Sequence, residues 1–254
     1  MTSTSYTRRG RQWLLPVALL GAWQLAVMAN NGLNVLPTPM EIGRALVESF
    51  VEGRLLADAA HTFAAALASW GICLLVGIPL GMALGTFRTL RTMLSLFIEL
   101  LRPLPAVALI PLAVLVFGFS WRTEITVTVF ASIWPLILSS RAGIEGLHAR
   151  IFEVAATLHL GKWHTLRSVA MPAAFSQILV GARLSFSLCL VVSVVAEMVG
   201  NPAGLGWGLV SAQEAMRASE TFAYLFAIGV LGVCANYALG FVVRRLLPGL
   251  AQAS

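Results

Sequence analysis

The chain has 254 residues, of which 58% are hydrophobic and 11% charged, and its formal net charge is +6. Soluble globular domains contain about 25% charged residues, so the composition excludes an ordinary soluble protein and indicates one that lies in a lipid bilayer. The positive balance does not indicate nucleic-acid binding, because the basic residues form no stripe interleaved with exposed aromatic residues.

The three cysteines, Cys73, Cys189 and Cys234, all fall within apolar runs. Free cysteines are among the residues most often buried in protein interiors. Their spacing fits neither a disulfide framework nor a metal-binding motif. We therefore expect all three to be small buried apolar residues, with no metal and no cofactor held by this chain.

The first apolar run, residues 13–29, follows a cluster of three arginines and ends in an Asn-Asn-Gly sequence. A signal peptide has a shorter apolar core, followed by a cleavage site of small residues. Neither feature is present here. The run is predicted to be a retained membrane span.

Transmembrane helices need about 20 apolar residues, and about 17 to 25 are tolerated. Six segments meet this requirement: residues 13–29, 63–86, 103–119 (or from about 94), 124–140, 176–199 and 222–243. The sequence therefore predicts an all-α membrane protein with six transmembrane helices. Because this number is even, both termini are expected on the same side of the membrane.

Basic residues set the orientation, because Lys and Arg are retained in the cytoplasm. With the N-terminus inside, eleven of the 17 basic residues fall in inner segments and four in outer segments. The other two, Arg102 and Arg183, lie near or within spans. Both termini are therefore predicted to be cytoplasmic. This orientation makes residues 141–175 the longest cytoplasmic loop.

An amphipathic helix is predicted in the long outer segment 30–62. The Pro37-Thr38-Pro39 sequence excludes a helix before it, since proline lacks a backbone donor and restricts the preceding residue. Apolar residues then recur at spacings of three and four: Met40, Gly43, Leu46, Val47 and Phe50. This helix serves either as a packing element or as a contact for a solute-delivering protein.

The longest inner loop contains a polar and basic run at residues 153–172, EVAATLHLGKWHTLRSVAMP. Five residues characterise this run and are called here the marked residues of the loop. They are an acid, two alanines, a glycine and a tryptophan: Glu153, Ala155, Ala156, Gly161 and Trp163. Small residues let a short helix lie deep in a groove of another protein. The acid can pair with a basic partner or cap the helix, and glycine ends a helix because it tolerates positive φ.

This run resembles the EAA loop of bacterial ABC-importer permeases, through which a cytoplasmic ATPase drives the membrane subunit. Three further stretches look like the permeases of the nitrate, aliphatic-sulfonate and taurine type: LLVGIPLGMALGTFRTLR (74–91), ELLRPLPAVALIPLAVLVFG (99–118) and VVAEMVGNPAGLGWGL (194–209). One departure is His159, which stands where the family normally has a glycine. By resemblance, the marked residues of the loop are expected to couple the chain to the ATPase.

The resemblance implies the type I ABC importer permease fold in a bacterial inner membrane. Residues 1–57 would hold a cytoplasmic segment, the first span and the periplasmic amphipathic helix. Residues 58–248 would form the permease domain, and residues 249–254 a cytoplasmic tail. The implied partners are a second permease copy in a homodimer, a cytoplasmic ATPase dimer and a periplasmic or lipid-anchored solute-binding protein. The sequence has no nucleotide-binding motif, so the partner is expected to bind and hydrolyse ATP, and the chain is not expected to be an enzyme.

Ionisable residues bracket the fifth predicted span, with serines between them: Arg183, Ser187, Ser193 and Glu197. At about 100° per residue the four fall on one stripe, about 120° wide. Charge within a span is costly, so the stripe is expected to face protein or water. It either lines the translocation pathway or bonds neighbouring helices, with Arg183 reaching the cytoplasmic face.

The predicted function is that of a permease subunit of an ATP-driven importer, forming half of the pathway for a small solute. Sulfonate, taurine or nitrate is the expected solute by resemblance, while neutral or cationic vitamin precursors remain open. One alternative is a polytopic membrane enzyme, which requires polar catalytic groups clustered at one interface. The other is a stand-alone channel or carrier, which transports without ATP or partners.

Overall fold

The computed structural model describes residues 18–29, 36–147, 157 and 161–246. Within those residues every regular element is helical, which confirms the all-α prediction. Numbered along the chain, the α-helices are α1 Ala18–Ala29, α2 Pro39–Val51, α3 Arg54–Thr86, α4 Arg88–Leu101, α5 Ile110–Phe117, α6 Trp121–Glu145, α7 Lys162–Thr165, α8 Met171–Gly200, α9 Gly204–Glu214 and α10 Ala218–Leu246. A 3-10 turn, Ala106–Leu109, precedes α5, and a π-helical turn, Leu166–Ala170, precedes α8.

Four helices of the described residues are long and apolar enough to cross a membrane: α3, α6, α8 together with the turn before it, and α10. A fifth candidate is broken, because α4 and the segment Ala106–Phe117 meet the same condition together but are bent by 86°. Pro103 and Pro105 lie at the break, where proline removes backbone donors and cannot continue a helix. The predicted first span, 13–29, begins outside the described residues.

The predicted amphipathic helix is confirmed as α2. Thr38 caps it: the Thr38 hydroxyl accepts from the Glu41 N–H at 3.3 Å, and the Thr38 N–H donates to the Glu41 carboxylate at 2.8 Å. Such a reciprocal capping box satisfies two of the backbone donors that a helix start leaves unpaired. From α2, Leu46 packs on the buried cluster that contains Leu55 and Tyr224, and the helix lies against α3 and α10.

The core of the bundle is formed by α3, α6 and α8. Buried residues of all three helices share one apolar cluster, with Cys73, Leu136 and Phe186 among its members. Small residues let the helices approach closely: a Cβ on Gly181 would lie 2.5 Å from the Ser139 Cβ. These contacts hold the three helices at fixed separation.

Cys73 and Cys189 are buried in this core, as predicted, but Cys234 is exposed. The prediction that all three cysteines are buried is therefore wrong for Cys234. The reason is that α10 packs against the bundle along one side only, so an apolar residue on its other side remains uncovered.

One end of the bundle carries Glu145, the last residue of α6, and the short helix α7. Glu145 forms ion pairs with Arg91 of α4 and, at 2.9 Å, with Arg141 of its own helix α6. Ala170, the last residue of the π-helical turn, is buried in an apolar cluster that includes Met82 and Ile144. The segment leading into α8 is thus packed on α3 and α6.

Candidate functional site

A buried polar cluster lies at the opposite end of the bundle, where α3, α6, α8 and α9 meet. It contains a histidine, a threonine, two glutamates and an asparagine: His61, Thr62, Glu124, Glu197 and Asn201. Thr62, Glu124 and Glu197 are 0% exposed, and Asn201 is 6% exposed. Polar groups buried to this extent are costly unless they are paired, so their contacts define what the cluster can do.

Glu197 is held by donors from two other helices. Its Oε2 accepts a hydrogen bond from the Thr62 hydroxyl at 3.0 Å and another from the Gly206 N–H at 2.9 Å. The Thr62 hydroxyl in turn accepts from the Leu205 N–H at 3.0 Å. The carboxylate therefore lies at the N-terminus of α9, where unpaired N–H groups and the helix dipole favour negative charge.

Two glycines allow α9 to begin directly against Glu197. Gly204 has φ +88°, a conformation that residues with a side chain rarely adopt, and a Cβ there would overlap the Glu197 carboxylate. A Cβ on Gly206 would overlap the Val194 carbonyl oxygen and lie 2.9 Å from the Glu197 Cβ. The glycines therefore permit the backbone approach that makes the Gly206 hydrogen bond.

Glu124 is held from the other side of the cluster. Its Oε2 accepts from the Asn201 Nδ2 at 2.8 Å and lies 3.2 Å from the His61 Nε2. The Asn201 Nδ2 also lies 3.0 Å from the His61 Nε2. The His61 ring packs beside Trp121, with their centroids 6.1 Å apart. The second oxygens, Oε1 of Glu124 and Oε1 of Glu197, are buried without a hydrogen-bond partner among the described residues.

The four residues of the predicted stripe lie in different environments along α8. Glu197 belongs to the polar cluster, and Ser193 is buried with no hydrogen bond in the described part of the chain. Ser187 donates to the Arg183 carbonyl at 3.2 Å or to the Asn236 side chain of α10 at 2.8 Å. Arg183 is half-buried. Their role in translocation stays a prediction.

Of the predicted coupling residues, Glu153, Ala155 and Ala156 lie outside the described residues. Gly161 is exposed and immediately precedes α7, which contains Trp163. The turn after α7 runs into α8 with helical backbone angles at Ala170 (φ −71°, ψ −42°). The C-terminal part of the predicted coupling loop is therefore continuous with α8.

Sequence reasoning did not single out His61, Thr62, Glu124 or Asn201. Glu124 carried a usable signal, since it is an acid at the edge of the predicted span 124–140. Nothing in the spacing of these residues indicates which helices meet. Their convergence is a property of the tertiary structure.

The fold and the membrane-spanning helices can be compared with known proteins. Residues 77–252, more than half of the chain, match the family described as the binding-protein-dependent transport system inner membrane component. The chain belongs to this family. It is therefore a multi-pass permease of the inner membrane and a subunit of an ABC importer.

Relatives of the permease match it along most of its length. It is 29% identical over 238 residues to SsuC of Bacillus subtilis (strain 168), named as an aliphatic sulfonates transport permease protein, with 92% of this chain and 85% of that one covered. It is 28% identical over 239 residues to TauC of Escherichia coli (strain K12), a taurine transport system permease protein, with 92% and 87% covered. The nitrate import permease protein NrtB of Leptolyngbya laminosa is 25% identical over 236 residues, with 91% and 85% covered.

The permease also resembles a solved structure. A chain of the MetNI methionine ABC transporter, in inward-facing conformations, superposes with a TM-score of 0.66 at 16% sequence identity, covering 79% of the permease and 97% of that chain. This likeness shows a shared fold. The resemblance to ABC-importer permeases of the sulfonate, taurine and nitrate type is thus confirmed.

Proposed function

We propose that this permease forms half of the translocation pathway of an ATP-driven importer for a small anion such as a sulfonate, taurine or nitrate. The observation that carries the proposal is its similarity, over most of its length, to permeases named for these solutes. These solutes share a compact anionic group, which suits a pathway lined by guanidinium groups.

A cavity of about 550 Å³ between α4 and α6 supports an anionic solute. Two guanidinium groups and one carboxylate line it: Arg102, Arg141 and Glu99. The excess of positive charge raises the local concentration of anions. Arg141 also bonds Glu145, so Arg102 is the side chain that we propose contacts the solute.

The proposed assembly is a homodimer of permeases with a cytoplasmic ATPase dimer and a periplasmic or lipid-anchored solute-binding protein. Each permease would have six spans with both termini in the cytoplasm, and residues 58–248 would form its transmembrane domain. The four or five apolar helices of the described residues, together with the shorter apolar α1, support this count. Exposed apolar side chains on α4 and α5, such as Phe97 and Leu115, provide surface for lipid or for the second copy.

We propose that the ATPase acts on residues 153–172, with Glu153 and the two alanines in a groove of the ATPase. The continuity of the π-helical turn with α8 supports this route, because a displacement of the turn moves α8 as one body. The α8 helix carries the stripe from Arg183 to Glu197, and we propose that its half-buried members Arg183 and Ser187 line the pathway. Packing of Ala170 against Met82 would pass the same displacement to α3.

Uptake by proteoliposomes tests the proposal. The permease is reconstituted with its ATPase and supplied with the solute-binding protein, and uptake of labelled taurine, an alkanesulfonate and nitrate is measured with and without ATP. We expect ATP-dependent uptake of at least one of them, and a roughly tenfold lower rate for Arg102→Gln, which corresponds to about 1.4 kcal/mol. Arg88→Gln, an exposed arginine outside the cavity, is the matched control.

Three outcomes contradict the proposal in different ways. Uptake without the ATPase would indicate a stand-alone channel or carrier. ATP-dependent uptake of a neutral or cationic vitamin precursor, with none of the anions, would retain the importer and overturn the anionic solute. Equal rates for Arg102→Gln and Arg88→Gln would remove Arg102 from the pathway.

A further inference from the structure

The polar cluster contains two carboxylate groups, and one oxygen of each has no hydrogen-bond donor among the described residues. We propose that His61, Glu124 and Glu197 bind a divalent transition-metal ion of the Zn²⁺ class where α3, α6 and α8 meet. The site lies at the opposite end of the bundle from the Arg102 cavity and does not depend on which solute is transported.

The donor atoms are close enough for one ion. One ligand atom from each of His61, Glu124 and Glu197 lies within 4.8 Å of the others. Zn²⁺ binds imidazole nitrogen and carboxylate oxygen at about 2.0 to 2.2 Å, so two of its ligands can be at most about 4.4 Å apart. Small side-chain rotations would complete the site. One imidazole with two carboxylates favours Zn²⁺ or Mn²⁺ over Ca²⁺ and Mg²⁺, which prefer oxygen ligands alone.

Each carboxylate has one oxygen fixed and one oxygen free. Thr62 and Gly206 hold Oε2 of Glu197, and Asn201 holds Oε2 of Glu124. The Oε1 atom of each glutamate is buried without a hydrogen bond among the described residues. In metal sites, hydrogen bonds to the carboxylate oxygen that does not bind the ion commonly orient the carboxylate.

The charge of the cluster favours a cation. Neither Glu124 nor Glu197 forms an ion pair with Lys or Arg in the part of the chain that the structure describes. Two carboxylates at 0% exposure, with only the His61 imidazole beside one of them, carry a large desolvation cost. A divalent cation offsets both charges at once.

A single shared proton is the competing assignment. A proton between the two Oε1 atoms would join the carboxyl groups, while the Nε2–H of His61 and the Nδ2–H of Asn201 both donate to the Glu124 Oε2. A bound cation would replace that proton and add His61 as a ligand, so measurements of bound metal and of a protonated carboxyl group separate the two assignments.

The ion has a route to the site from the surface. The His61 side chain is 29% exposed, and the adjacent Trp121 is 46% exposed, so the imidazole forms one wall of the cluster that solvent reaches. A bound ion would join three helices at this end of the bundle and stabilise their packing.

Metal binding by the purified full-length permease tests the site. After removal of metal with a chelator, the protein is loaded with Zn²⁺ or Co²⁺, and bound metal, thermal unfolding and the visible Co²⁺ spectrum are measured. We expect one ion per chain, a higher Tm with Zn²⁺, and Co²⁺ absorption bands of a mixed nitrogen and oxygen site. Glu124→Gln and Glu197→Gln should each weaken binding by at least about tenfold.

The matched control is Glu214→Gln, which removes an exposed carboxylate outside the cluster and should bind Zn²⁺ as the unaltered protein does. Because the buried glutamine variants can fail to fold, His61→Gln supplies a partly exposed ligand whose loss should also weaken binding. Failure to bind Zn²⁺ or Co²⁺ overturns the proposal, and so does unchanged binding by His61→Gln. An infrared band of a protonated carboxyl group, absent from Glu197→Gln, together with no bound metal, would assign a shared proton instead.

Discussion

The Thr62 hydroxyl donates a 3.0 Å hydrogen bond to the Glu197 carboxylate, and both side chains are fully buried where α3 meets α8. The Thr62 hydroxyl oxygen also accepts a hydrogen bond from the Leu205 N–H in the first turn of α9. One hydroxyl group therefore joins three helices. The Thr62 hydroxyl also lies 3.1 Å from the Asp58 carbonyl oxygen of α3, whereas the Leu205 N–H has this hydroxyl oxygen as its acceptor.

Replacement Thr62→Val keeps the side-chain shape and removes the hydroxyl. It leaves the Leu205 N–H without its partner and takes one donor from Glu197, so we expect a loss of about 1 to 3 kcal/mol in the free energy of unfolding. Thermal unfolding of the purified protein in detergent measures the loss as a lower Tm. The matched control is Thr92→Val, whose hydroxyl donates to the Arg88 carbonyl of its own helix. Equal Tm values for the two variants would show that the Thr62 contacts add no stability.

Alanine in place of Gly206 should be strongly destabilising, since its Cβ would overlap the Val194 carbonyl oxygen. Overpacking of this kind costs typically about 1 to 3 kcal/mol. By contrast, Gly43→Ala on α2 meets open space and should be neutral or stabilising by up to about 1 kcal/mol. Thermal unfolding of both variants checks the difference. A Gly206→Ala protein as stable as Gly43→Ala would mean that α9 does not lie this close to α8.

If residues 153–172 bind the ATPase, a bulky charged side chain in this loop should weaken the binding of the ATPase to the permease. Ala155→Arg should insert in the membrane normally but lose its ATPase during purification, because the groove that accepts a small side chain cannot hold arginine. The amount of ATPase recovered with the tagged permease is the measurement. Ala251→Arg in the predicted cytoplasmic tail is the control. Normal recovery and transport by Ala155→Arg would place the docking site elsewhere.

Reporter fusions test the predicted topology. A reporter that is active only in the cytoplasm should be active after Ser254 and silent near Asn34, if the chain has six spans with both termini inside. The reverse activity at either position would contradict the six-span arrangement. Expression of both fusions is compared by immunoblot, so that a silent fusion is not mistaken for a missing one.

Cysteine accessibility distinguishes a pathway from structural packing on α8. With the native cysteines replaced, Ser187→Cys should react with a water-soluble thiol reagent, and Ser193→Cys, which is fully buried, should be protected. If α8 lines the pathway, trapping the ATPase with nucleotide should change the reactivity of at least one of them. Inert cysteines in every nucleotide state would make the stripe a purely structural contact.

Much of the fold was predictable because a bilayer requires long apolar helices, and such helices are visible as apolar runs in the sequence. The apolar runs that lie within α3, α6, α8 and α10 are visible in the sequence, since each helix must satisfy its own backbone groups in lipid. The break between α4 and α5 was less visible, because an apolar run does not reveal an 86° bend. The third span was predicted as one segment, 103–119 or from about 94, without an interruption at Pro103 and Pro105.

The amino-acid sequence by itself determined that this protein is a helical membrane permease, because hydrophobicity, the distribution of arginines and the family motifs are all properties of the linear chain. Only the tertiary structure decided that His61, Glu124 and Glu197 converge. These residues are on three helices far apart in the sequence, and their meeting depends on how small residues set the distances between those helices. Helical periodicity identifies which side chains share a face, but it carries no information about which face of another helix will cover them.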